Sequence, residues 1–132
     1  TTQYANERIQ FGKPIAKLQV IQQNLSVMAE HVFAARMAAQ IGFHADGLVP
    51  QAHAAAVAKQ RTSEAVAVCA PIAHAVHGAM GFTAEYDLQR YTRRLHEWRL
   101  AYGSEAHWAT RLGLSFLQSD DSPLDAARAL TA

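Results

Sequence analysis

Apolar residues return at alternating steps of four and three along the first half of the chain, at Ile21, Leu25, Met28, Val32, Ala35, Ala39 and Gly42. That spacing sets them on one stripe of a helix. The pattern predicts a helix from about Ala16 to Asp46, roughly 45 Å long at ~1.5 Å per residue, which needs neighbours of similar length to cover it. Gly47 to Pro50 ends it. A second long helix is expected from about Ala52 to Ala79, with Ala58, Ala65, Val68, Ile72 and Val76 facing inward. Pro71 inside it removes one ladder hydrogen bond and predicts a kink. Gly78-Ala79-Met80-Gly81-Phe82 breaks the helix, and a further one starts at Thr83 and continues through Tyr91, Leu95 and Trp98. Tyr102-Gly103-Ser104 interrupts that segment, and Ser104 suits the N-cap of a last helix through Trp108, Leu112 and Phe116.

The first residues, to about Gln10, read as a helical end, and a corner at Phe11 to Pro14 leads into the first long helix. Residues 1–118 are thus expected as one all-α domain, an up-and-down four-helix bundle with an additional C-terminal helix. Residues 119–132 are polar at first and are expected as a poorly ordered tail. The chain begins without Met in a segment that already looks like mid-helix, which reads as a piece of a longer protein.

Composition sharpens the class. Of 132 residues, 50% are hydrophobic and 17% charged, alanine is abundant and β-branched runs are scarce, which favours closely packed helices. A net charge of +1 without a basic run gives no electrostatic footprint for nucleic acid. The lone Cys69 excludes an internal disulfide and, among Ala67, Val68 and Ala70, reads as a small buried hydrophobe. No signal peptide is visible and no apolar run is read as approaching the ~20 residues of a bilayer span. The expectation is a cytoplasmic protein with no membrane partner.

The chemistry concentrates at Glu7-Arg8-Ile9-Gln10-Phe11-Gly12-Lys13-Pro14-Ile15 with Gln19. Arg8 stands at a helix end closed by Gly12 and Pro14, where its planar fork suits a phosphate ligand, although a solvated cation on the helix dipole has the same signature. Phe11 and Gln19 read either as a ligand wall and amide or as a core staple and a surface amide. His74 and His77, one turn apart, could begin a metal site, but no second close pair completes one, and none is expected. Arg90, Arg93, Arg94 and Arg99 form a basic helix face, either solvated and salt-bridged or set against a phosphate. Trp98 and Trp108 suit a core or a subunit interface.

Taken together, Tyr4-x-x-Glu7-Arg8-x-Gln10-Phe11-Gly12-Lys13-Pro14-Ile15, Gln19, Val76-His77-Gly78-x-x-Gly81-Phe82, Arg90-x-x-Arg93 and Tyr102-Gly103-Ser104 resemble the C-terminal helical domain of the acyl-CoA dehydrogenase family. The resemblance runs from Thr1 to about Leu117. It implies the last domain of an FAD-dependent enzyme that desaturates an acyl-CoA thioester and passes electrons to an electron-transfer flavoprotein. It also implies a homo- or hetero-oligomer built through the bundle, with FAD lying across a subunit boundary. By that resemblance Arg8 meets the pyrophosphate of FAD, Gln10, Phe11 and Gln19 line the same cofactor, and Ser104 lies beside it. Tyr102 and Gly103 face substrate. Ala75 replaces the family's glutamine, and Ala79 its second glycine beside Gly78.

In many family members a Glu in Tyr-Glu-Gly-Thr takes the α-proton, and here Tyr102 stands in its place. Ionising a phenol of pKa ~10 at pH 7 takes about 4 kcal/mol, which makes it a weak base beside a carboxylate. Three explanations remain open: a base on an earlier helix of the parent chain, a non-catalytic subunit, or Glu105 as a displaced base. Glu105 also suits the dipole of the following helix.

Overall fold

The computed structural model of the chain describes residues 1–44 and 49–129. Helix α1 covers Thr2–Glu7 and is followed by a two-residue hairpin, β1 Ile9–Gln10 against β2 Lys13–Pro14, with Gln10 opposite Lys13. A short 3-10 turn, Ile15–Lys17, leads into α2, Gln19–Phe43. Then come α3 Ala52–His77, a 3-10 segment Gly78–Phe82, α4 Leu88–Leu100, α5 Glu105–Gln118 and α6 Pro123–Ala129. The all-α reading holds, with 79% of the structure helical.

Several expectations are corrected. The first helix stops at Glu7, because Arg8 turns extended and its N–H closes on Tyr4 O at 2.8 Å, so residues 9–10 form a strand instead. The next helix begins at Gln19, three residues later than expected, and its expected end at Asp46 and Gly47 lies outside the described residues. Val32, assigned to the inward stripe, is 44% exposed, although Ile21, Leu25, Met28, Ala35 and Ala39 on the same stripe are half-buried and Gly42 is buried. Thr83–Asp87 form turns rather than the first turn of α4, with Thr83 Oγ1 donating to Met80 O at 3.1 Å. Pro71 does lie inside α3, as expected, and the helix continues past it to His77. The tail contains α6, because Ser122 Oγ accepts the Asp125 N–H at 3.2 Å and Pro123 occupies the first helical position. Finally, Ala52–Phe82 is long and apolar enough to cross a membrane by length and composition alone. Its apolarity is largely alanine, and Ala54, Ala56, Ala65, Ala70, Ala73 and Val76 within it are buried.

The chain divides into two compact units. The first comprises Thr1–Phe33 and Ala65–Glu97. Its core is Ala5, Ile15 and Val76, with Tyr4, Ile21, Leu25 and Ile72 packed around them. The backbone bond from Ile15 N–H to Arg8 O, 2.9 Å, folds the hairpin back on this core.

The second unit comprises the described residues of Ala34–Glu64 and Trp98–Ala132. There α2 and α3 approach closely at Gly42, where a Cβ would fall 2.5 Å from that of Ala58. The alanine-rich seam is legible here as backbone proximity. The end of α4 is closed by Lys59 of α3, whose ammonium donates to Trp98 O at 3.0 Å, Arg99 O at 2.9 Å and Ser63 Oγ at 2.7 Å. These are carbonyls that a helix end leaves without internal donors. Burial of this ammonium pushes its pKa down, partly offset by Glu105.

Candidate functional site

In the first unit Phe11 and Gly12 occupy the two central positions of the hairpin with φ of 52° and 74°. This is a type I′ turn, a geometry that favours Asn-Gly and strains an aromatic. The turn displays Phe11, which is 86% exposed. Beside it Arg8, Gln10, Ala75, Gly78 and Ala79 line one cleft of about 340 Å³ together with His77. Five of the residues proposed from sequence for cofactor contact are thereby gathered. Phe11 and Gln19 are not among the cleft's lining residues, and both are exposed.

Arg8 is exposed, and its guanidinium has no hydrogen-bond or ion-pair partner among the described residues, while the neighbouring Glu7 is taken by Gln3 at 2.8 Å. Gly78 carries φ +59°, and a Cβ there would meet nothing within 4 Å, so the backbone faces open space. Gly81 has no positive φ. It is needed for room, because a Cβ would lie 3.0 Å from His77 Cβ and 3.1 Å from Leu88 Cδ2. Two histidines hold this segment. His77 is buried, stacks on Tyr4 at 4.3 Å between ring centroids, tilts against Tyr86 at 5.2 Å, and donates Nδ1–H to Ala73 O at 2.7 Å. Burial pushes its pKa down, with the Ala73 bond acting the other way. His74 Nε2 lies 2.9 Å from Thr92 Oγ1, and that hydroxyl donates to Leu88 O at 3.3 Å, so the imidazole is the donor and Nδ1 carries the lone pair. Both rings are occupied in packing. Sequence reasoning missed this role of His77 and Tyr4, whose signal was only an aromatic and an imidazole inside the quoted motifs.

The other predicted site residues belong to the second unit. Tyr102 and Gly103 have φ of 58° and 100°, and Tyr102 is 93% exposed. Trp108 Nε1 donates to Tyr102 O at 3.0 Å, and Ser104 Oγ caps α5 by accepting the His107 N–H at 3.4 Å. Glu105 is clamped by Arg99, whose Nε lies 3.0 and 3.2 Å from the two carboxylate oxygens and whose Nη2 also contacts Oε1. The Arg99 bond pulls the Glu105 pKa from 4.5 to about 2. A carboxylate so stabilised is a poor proton acceptor, which removes the physical case for Glu105 as a displaced base. On the basic face Arg90 pairs with Asp87 at 3.2 Å and Arg94 with Glu97 at 3.7 Å, both on the surface.

The model of the acyl-CoA dehydrogenase C-terminal domain matches residues 1–111. Glutaryl-CoA dehydrogenase of Desulfococcus multivorans is 38% identical over 103 residues, covering 76% of this chain and 26% of that protein. Acryloyl-CoA reductase (NADH) of Anaerotignum propionicum is 36% identical, covering 70% of this chain and 24% of its own length. Among solved structures, a glutaryl-coenzyme A dehydrogenase in complex with glutaryl-CoA superposes with a TM-score of 0.82 at 35% identity, covering 88% of this chain and 30% of that one. A chain from the electron transferring flavoprotein study of Acidaminococcus fermentans gives 0.80 at 27% identity, covering 89% and 31%. The chain therefore spans less than a third of these relatives. With the family model matched over most of its length, the chain belongs to the acyl-CoA dehydrogenase family, as its C-terminal domain.

Proposed function

We propose that this chain supplies the cofactor-facing helical domain of an FAD-dependent enzyme that dehydrogenates an acyl-CoA between its α and β carbons, with a flavoprotein as electron acceptor. The observation that carries the reading is Arg8, a guanidinium that lines a cleft without a partner among the described residues, three positions before an aromatic held out on a strained turn. The residues present fit a dinucleotide. A diphosphate needs a paired cationic donor without a competing carboxylate, a flat ring needs an exposed aromatic, and close backbone approach needs an open glycine such as Gly78. FAD, when bound, supplies the oxidant for the acyl thioester. Arg8 neutralises phosphate charge, Phe11 covers a ring, and Gln10 offers an amide. Ala75 and Ala79 give one amide fewer and one methyl more than the family pattern, which lowers affinity without closing the cleft.

The cofactor would come from a neighbouring subunit. In the first unit Val20 and Val27 on α2 and Tyr91 and Leu95 on α4 are exposed by 38 to 66%, at helical spacings that form apolar strips. Such strips suit a homo- or hetero-oligomer core. In the full-length protein, Arg8→Ala should release the flavin, read as loss of the visible spectrum after gel filtration. Retention at wild-type affinity would remove the phosphate contact.

A second reading, a non-catalytic subunit, is favoured by Tyr102 in the place of the base and by the sequestered Glu105. Dye reduction by the full-length protein alone with an acyl-CoA would exclude it, and activity only with a partner subunit would establish it.

A further inference from the structure

The second unit contains a cavity of about 510 Å³ that has no role in the reading above. Its walls include the apolar Ala55, Ala56, Leu112 and Leu114, and four polar side chains line it, His53, Arg111, Ser115 and Gln118. Ser115 Oγ and His53 Nε2 stand 2.6 Å apart although 62 positions separate them in sequence, so the pair is made by the packing of α5 on the start of α3. The Arg111 guanidinium lies 5.6 Å from the centroid of the Trp108 ring, which holds it at the rim, and no carboxylate pairs with it among the described residues. An apolar hollow of this size with a few convergent polar groups is the usual form of a small-molecule site.

We propose that this cavity binds a small molecule carrying a single carboxylate on an apolar body. Arg111 is the only fixed cation facing the cavity among its described lining residues, and its fork matches the two oxygens of a carboxylate. When His53 Nε2–H donates to Ser115 Oγ, the serine O–H is left to donate to the same anion. A phosphate dianion fits less well. Asp121 lines an adjoining hollow of about 130 Å³ that His53 and Ser115 also border, so a second negative charge would be uncompensated there. The alanine and leucine walls then take an aliphatic chain rather than a polar one.

The test uses the full-length protein and octanoate, with neutral octanamide as its uncharged counterpart, followed by calorimetry. Octanoate should bind, and octanamide should bind about tenfold or more weakly. Arg111→Gln should weaken octanoate to a similar degree while leaving octanamide unchanged, and Ser115→Ala should weaken it less. Near-ultraviolet circular dichroism checks that each variant keeps its fold. The assignment is overturned if octanoate does not bind at millimolar concentration, as when another part of the protein fills the cavity. Equal binding of octanamide, or octanoate affinity unchanged in Arg111→Gln and Ser115→Ala, would place any binding elsewhere and overturn it equally.

Discussion

Two corners of this molecule share one unusual backbone and differ in everything around it. Phe11-Gly12 and Tyr102-Gly103 each place an aromatic and a glycine in succession at positive φ, and each exposes the ring, by 86% and 93%. A non-glycine residue in that region costs about 1–2 kcal/mol, so its surroundings must hold it there. At Tyr102 the support is visible: the Trp108 bond, the Ser104 cap, the Lys59 closure of α4 and the Arg99–Glu105 clamp. At Phe11 it is a two-residue ladder and one backbone bond, with nothing within 4 Å of a Cβ on Gly12. The second corner is fixed by its own protein. The first is held by little beyond its own hairpin.

The largest expected effect breaks the comparison at the glycines. A Cβ on Gly103 would lie 2.9 Å from both Trp108 Nε1 and His107 Cδ2, whereas one on Gly12 meets open space. Gly103→Ala should therefore lower stability by about 3 kcal/mol and Gly12→Ala by about 1 kcal/mol, both measured by guanidinium denaturation. Equal losses would mean the bracing is irrelevant. Next in size, Trp108→Phe keeps an aromatic, smaller than the indole, but removes the donor to Tyr102 O, and should lose about 1 kcal/mol with faster amide exchange around Gly103. Smaller and opposite in sign, Phe11→Asn should gain roughly 0.5–1 kcal/mol, since Asn tolerates the left-handed region. The same change should weaken flavin retention in the full-length protein. A stability gain with flavin affinity unchanged would show the strained ring to have no ligand role.

The long helices were legible from their periodicity, and Arg8, Gln10, Ala75, Gly78 and Ala79 of the family motifs line one cleft. The Ser104 cap was legible for the same local reason. What escaped the sequence is non-local or atypical. The type I′ turn carries Phe where Asn would announce it. Lys59 finds its acceptors 39 and 40 positions away. His53 and Ser115 meet only once α5 has packed. Val32 shares the stripe of Ala35, Ala39 and Gly42 and is still exposed, because what covers a stripe position is a neighbouring helix that the periodicity does not name.

The smallest expected effect sharpens the comparison through pH. In the first unit burial lowers the His77 pKa from 6.5, with the Ala73 bond opposing it and His74 acting in the same direction. The folded state therefore favours the neutral ring: its contribution is complete above about pH 6.5 and is lost as pH falls toward the depressed value. In the second unit the Arg99 bond lowers the Glu105 pKa from 4.5 to about 2, so that contribution is complete above 4.5 and lost between 4.5 and 2. The pair is about a quarter exposed, which screens it and keeps the effect small. Amide exchange, corrected for intrinsic pH dependence, should thus begin to rise around residues 73–82 once pH falls below 6.5, while residues 99–108 stay protected until pH is below 4.5. His77→Phe should abolish the first change and Glu105→Gln the second. If both segments loosened together, the displayed corner and the braced one would be parts of one cooperative response, and the difference in their supports would carry no energetic weight.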